Sequence, residues 1–434
     1  MNLATQPHFF TLQNGLKVYT QTHPSIKTLT LHAWVFVGSA HENPGNNGIS
    51  HFLEHMLFRG NQKLGNSVEM SLAMERLGGE MNAATSFDAT EYWLECHKDY
   101  FETALKNFAL FLRYPSFDQL ETERGIVLEE IKNDYNDKNT LIDIDQIAAK
   151  ALWPNHPMGL SISGTVKTLE KISLLELQDW YKRYYLPKNM ILGISGNFDP
   201  LAAEAILTAH LGDLDGGQRF SYKPVEEELV PQNQITWVND PDNQYNLQWS
   251  FLLSPLCSRM RLMLQLIGRI LDDGSSSRLQ RFIREERGLV YDISANHSFF
   301  DSGATLSLNA TVGKEHLFEL MEALTQLITR GLKEGFFAEE LELAKLRLQT
   351  SLDCYCDSAE GQLHEKVALE LYPSYLGLEQ IGPVIKGITL EELNDLAGLL
   401  LGNDRCALVL IGPAPKDEER LRLETLLKPW LMAP

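Results

Sequence analysis

Cysteine is scarce in this 434-residue chain. The five present, Cys96, Cys257, Cys354, Cys356 and Cys406, are odd in number and scattered. That pattern fits reduced thiols in a cytoplasmic protein better than a disulfide framework. Cys354 and Cys356 stand close together, but no second pair at zinc-finger spacing accompanies them. Long apolar runs are also missing: none approaches the roughly 20 residues a membrane-spanning helix needs. The stretch from Met1 to His8 has no basic segment followed by an apolar core, so no signal peptide is visible. The expected location is cytoplasmic, or periplasmic if a presequence has been removed. Basic side chains are in deficit, 38 Lys and Arg against 58 Asp and Glu, for a net charge of −20. This speaks against nucleic acid as the main partner, because phosphate neutralisation needs clustered cations. An acidic excess lining a cavity would favour cationic ligands; spread over the surface it serves solubility. No strand–helix–strand unit with a glycine-rich phosphate turn is found, which argues against a dinucleotide-binding fold.

What is present reads as two or three domains' worth of globular protein. Asn14-Gly15 is a tight-turn signal between short β-rich runs and predicts an opening hairpin. Residues Thr28 to Val37 alternate as a strand, and a helix is expected from about Ser50. Phe101 to Tyr114 has helical apolar spacing and stops at Pro115. A second helix is expected from about Phe117 to Tyr135, and Met190 to Ser195 is an apolar strand. Between Asp213 and Gln234 paired glycines, prolines and an acidic run have the composition of a linker. Beyond it the chain repeats itself. Ile172-Ser-Leu-Leu-Glu-Leu-Gln-Asp179 resembles Ile388-Thr-Leu-Glu-Glu-Leu-Asn-Asp395, and the strand ending at Gly196 has a counterpart ending at Gly412. Both matches lie 216 positions apart, about half the chain, and predict duplicated domains. The expected fold is α+β: two homologous domains, each a mostly antiparallel sheet with helices on one face. The divisions are 1–212, a linker at 213–234, and 235–434.

The chemistry concentrates in Ser50-His51-Phe52-Leu53-Glu54-His55-Met56. Residues four apart share a helix face, so His51 and His55 can reach one metal ion. Glu54 stands close enough to touch a metal-bound water without occupying a ligand position, the reverse order of the H-E-x-x-H helix. A catalytic zinc site needs a third protein ligand. In the segment Glu121 to Tyr135, Glu123 and Glu130 share a helix face with Val127 and Ile131, while Glu129 falls on another side. A carboxylate on an apolar face needs a partner, which a metal would supply. Glu130 is therefore preferred to Glu129 as third ligand, and Glu123 is read as the residue orienting a ligand.

These residues resemble the pitrilysin family of inverted-motif zinc metallopeptidases, which includes insulin-degrading enzyme and the mitochondrial processing peptidase. The family pattern is H-x-x-E-H followed some 74–76 residues later by a glutamate, and 74 residues separate His55 from Glu130. A supporting glutamate seven residues earlier matches Glu123. Gly38 to Glu42, Gly48 to Gly60, Gly78 to Ala83 and Trp153 to Gly159 are similar to the family's first domain. Arg284 and Tyr291, seven apart in Ser275 to Ala295, match a pair in its second. The length suits the short branch, in which two such chains associate as clamshell halves around a chamber.

The resemblance implies a zinc-dependent endopeptidase with one Zn²⁺ per chain on His51, His55 and Glu130. Glu54 would take a proton from the attacking water and deliver it to the leaving amine. Arg284 and Tyr291, supplied by the facing half, would stabilise the oxyanion. Asn82, Ala83, Ala84 and Thr85 are expected on an edge strand to which an extended or unfolded peptide adds. A homodimer with two composite sites is the preferred assembly, and a heterodimer with a related chain is the alternative. Two other readings remain: a zinc-binding subunit that works only with a partner, and a non-catalytic peptide-binding module.

Overall fold

The hairpin at Asn14-Gly15 opens the fold, with Gly15 at φ +91°, a conformation that glycine adopts without strain. The computed structural model describes residues 7–222, 234–300, 303–372, 375–403 and 405–431. Strands β1 (Pro7–Thr11), β2 (Lys17–Thr22), β3 (Thr28–Val35), β6 (Glu80–Thr85), β7 (Thr90–His97) and β8 (Met190–Gly196) form one sheet in the order β1-β2-β8-β3-β7-β6. Two short strands, β4 (Gly60–Asn61) and β5 (Gly65–Asn66), pair separately. The second sheet joins β9 (Gln234–Asn239), β10 (Gln244–Leu253), β11 (Asp292–Phe300), β12 (Gly303–Gly313) and β13 (Cys406–Gly412) in the order β11-β12-β10-β13-β9. Each sheet is antiparallel except at one pair, β2 with β8 and β9 with β13. Without β1 the two orders are the same pattern, so the fold is α+β with two homologous domains.

The helices repeat as well. Leu174–Tyr184 starts at Ser173, whose hydroxyl accepts from the Glu176 amide while the Glu176 carboxylate accepts from the Ser173 amide. Leu390–Leu401 starts with the same box made by Thr389 and Glu392. Each box satisfies amides that a helix start leaves open. Strands β8 and β13, which follow these helices, start and end 216 positions apart.

The expectation of helices on one face only is corrected. Every residue of β8 and of β13 is buried, which requires cover on both faces. Ala359–Leu371 lies on the first sheet, with Leu363 and Val367 against Trp34, Phe36 and Ile191. At Gly193 a Cβ would fall 2.6 Å from Leu363 Cδ2, so glycine admits the helix. Ile144–Leu152 covers the second sheet in the same way, with Ile147 and Ala148 against Val409 and Ile411. Each repeat thus lends a helix to the other repeat's sheet. One compact unit comprises 1–133, 160–223 and 355–371; the other comprises 134–159, 224–354 and 372–434. Half of the expected linker, 223–233, lies outside the described residues.

Two helix boundaries differ from expectation. The helix expected at 117–135 spans Leu120–Lys132. Phe117 and Gln119 both have φ near +60°, which no right-handed helix can include.

Candidate metal centre

Helix α1 (Ile49–Leu57) buries Ile49, Phe52, Leu53, Met56 and Leu57. This apolar majority fixes its roll and leaves His51 and His55 on a common, half-buried row, ring centroids 4.6 Å apart. The Leu120–Lys132 helix buries Glu123, Val127 and Ile131 as its spacing predicts. Glu130 sits at the rim of that face, 46% exposed, with Oε2 3.4 Å from His55 Nε2. One ligand atom from each of His51, His55 and Glu130 lies within 4.8 Å of the others, and among the described residues no further such group occurs. Glu129 points elsewhere and pairs with Lys132 at 2.6 Å on the surface.

His55 Nδ1 lies 2.7 Å from Glu123 Oε1, and Arg59 Nε binds the other Glu123 oxygen. A neutral imidazole has one N–H. With Nδ1–H given to Glu123, Nε2 faces the Glu130 oxygen, a position that a second ring proton or a metal ion at Nε2 satisfies. His51 Nδ1 is buried with no hydrogen-bond partner. Burial, then repulsion from His55, holds the His51 ring down to about 4, so the ring is neutral at ordinary pH, the form in which an imidazole can bind a metal. Two imidazoles and one carboxylate are a donor set that suits zinc, and the residues present fit the ion.

Glu54, 8% exposed, accepts from Thr85 Oγ1 at 2.7 Å. Burial pushes its carboxyl up; the Thr85 hydroxyl and His55 pull it down, and Glu130 pushes it further up. A raised carboxylate is a stronger base than a surface one. Thr85 ends β6, the edge of its sheet. Ala84 is exposed along that edge, and the Asn82 amide donates to Glu80 at 3.1 Å. Sequence reasoning placed Thr85 with the peptide-binding strand and did not foresee its bond to Glu54. It also passed over Arg59, which follows the C-terminus of α1 in the turn at Phe58-Arg59 and reaches Glu123 from there.

Arg284 and Tyr291 belong to the second unit. Arg284 lies on a π-helical turn, Gln280–Glu285, with its guanidinium 5.9 Å from the Tyr291 ring centroid. Gln280 steadies it, accepting from Arg284 Nη1 at 3.4 Å while donating to Ile293 O at 2.7 Å. Tyr291 is 89% exposed, so it is no packing residue. In the second repeat, the positions 216 beyond His51, Glu54, His55 and Glu130 hold Ile267, Ile270, Leu271 and Leu346, so that repeat carries no copy of the cluster.

Comparison with known proteins agrees with this asymmetry. Residues 17–166 match the model for insulinase (peptidase family M16), and 171–348 match the peptidase M16 inactive domain. The chain belongs to this pitrilysin-like family. It is 28% identical to the uncharacterized zinc protease YmxG of Bacillus subtilis, over 93% of this chain and 98% of that one. In structure it resembles a peptidase M16 inactive domain from Pseudomonas fluorescens (TM-score 0.84, 21% identity, 94% of this chain and 99% of that one). It also resembles the periplasmic protease PqqL of Escherichia coli (TM-score 0.79, 19% identity), covering 100% of this chain but 51% of that one.

Proposed function

We propose that this chain is a zinc-dependent endopeptidase acting on extended peptides. The observation that carries the reading is the convergence of His51, His55 and Glu130 beside Glu54, itself tied to the edge strand by Thr85. When bound, Zn²⁺ supplies Lewis acidity toward the scissile carbonyl and acidifies water. His51, His55 and Glu130 hold it, and Glu123 with Arg59 orients His55. Glu54 takes the proton of the attacking water and passes it to the leaving amine. A peptide laid along β6 presents its backbone to an open strand edge, with Asn82, Ala83, Ala84 and Thr85 setting its register. Arg284 and Tyr291 stabilise the oxyanion. With an acidic excess, basic peptides are the preferred class.

The test compares wild type and Glu54→Gln on a quenched, unstructured basic peptide. The expected result is a loss of roughly 10²–10⁴-fold or more in turnover with zinc content unchanged. Equal turnover in the two would sink the assignment of Glu54. A second reading, a zinc-binding subunit that needs a separate partner, is favoured by the chain matching only half of PqqL. Wild-type protein that holds zinc and cleaves nothing would select it.

A further inference from the structure

The start of α1 is built in an unusual way. Its N-cap is Gly48, at φ +91°. A Cβ there would lie 2.6 Å from Ser163 O and 2.7 Å from Gly164 Cα. A Ser or Asp cap is therefore barred, yet the first amides of the helix still need acceptors. They get one from six residues upstream. Glu42, 3% exposed, accepts from Gly48 N at 2.7 Å and from Asn47 Nδ2 at 3.0 Å through Oε2, and from Ser50 N at 2.9 Å through Oε1. Burial pushes this carboxyl up, and the Ser50, Asn47 and Gly48 donors pull it back. Gly48 N, Asn47 Nδ2 and Ser50 N are all donors, so the site is made for a carboxylate.

The same segment is clamped at its other end. Ala40 N donates to Phe87 O at 2.7 Å and Ser39 N to Ser86 O at 3.3 Å. At Gly38 a Cβ would fall 2.2 Å from Ser86 O. Ser86 follows Thr85, the residue that holds Glu54. Residues 38–42 thus join the turn that closes the β6 edge to the first amides of the metal helix. Ser50, the last of those amides, immediately precedes His51.

We infer that Glu42 is a positioning residue of the metal centre, setting the height of the first turn of α1 through the Gly48 and Ser50 amides so that His51 meets His55 and Glu130. This rests on reading those three as metal ligands. Glu42→Gln keeps the shape but turns an amide N–H₂ toward N–H donors. In apo-protein titrated with Zn²⁺ against a competing chelator, it is expected to lose about tenfold or more in affinity, the range for residues that orient ligands. The visible absorption of the Co²⁺-loaded protein should change with it. Glu42→Asp, which keeps the charge, should recover part of both, and it decides the matter if Glu42→Gln does not fold. The control is Leu207→Ala, a cavity in the Pro200–Leu211 helix of the same unit; it should lower the melting temperature and leave affinity and spectrum unchanged. Folded Glu42 variants with wild-type affinity and spectrum would overturn the inference alone. Wild-type protein that takes up neither Zn²⁺ nor Co²⁺ would overturn the metal centre and this inference with it.

Discussion

A single imidazole decides much of the site's behaviour. His55 faces carboxylates at both nitrogens, Glu123 at 2.7 Å and Glu130 at 3.4 Å. Glu123 fixes which nitrogen bears the proton, leaving Nε2 as the lone-pair donor. Glu123→Ala should therefore weaken Zn²⁺ binding about 10–100-fold, and it also strips Arg59 of its partner. Glu129→Ala should leave binding unchanged, because that carboxylate pairs with Lys132 on the surface. Chelator competition on the two variants distinguishes them, and a reversed order would reassign the third ligand's helix face. His51, Glu54, His55, Glu123 and Glu130 could be singled out in the sequence because a helix maps spacing onto direction. Thr85 and Glu42 could not be given their roles. Each acts across a gap between elements, Thr85 to Glu54 over 31 positions, and no periodicity encodes such a contact.

Among elements, the 216-residue offset is visible in the strings of β8 and β13 and in the capping boxes before them. Helix starts and apolar strands are local features, so they could be read directly. The lent helices could not. Leu363 meets Gly193 and Ile147 meets Val409 only after the chain has closed long loops, and amphipathic spacing does not say which sheet a helix covers. The second box offers a test. Arg259, with the Thr389 amide and hydroxyl, holds Glu392 down to about 2. A carboxyl depressed on folding stabilises above its unfolded range and ceases to do so as pH falls through its folded value. Glu392→Ala should cost roughly 0.2–1 kcal/mol at neutral pH, the range for an exposed ion pair. Denaturant melts should show that difference shrinking as pH falls from about 4.5 toward 2. A difference independent of pH would mean that the cap works through packing and not through charge.

For the whole molecule, the question is where the second half of the chemistry comes from. The candidate metal cluster is in the first repeat and the Arg284–Tyr291 pair in the second, while PqqL is about twice as long as this chain's match to it. If two copies associate, the zinc half of one works with Tyr291 of the other, and the two defects can be separated. Glu54→Gln and Tyr291→Phe should each be nearly inactive alone. Mixed after dissociation, about half of the dimers carry one of each, and each of these has one intact site, giving about a quarter of wild-type turnover under two-fold symmetry. Recovery on mixing would establish composite sites in a homodimer. Without it, a size measurement that finds a monomer leaves two explanations, and wild-type turnover separates them. A monomer with wild-type activity means that Tyr291 serves its own chain. An inactive monomer means that a related chain supplies the missing pair.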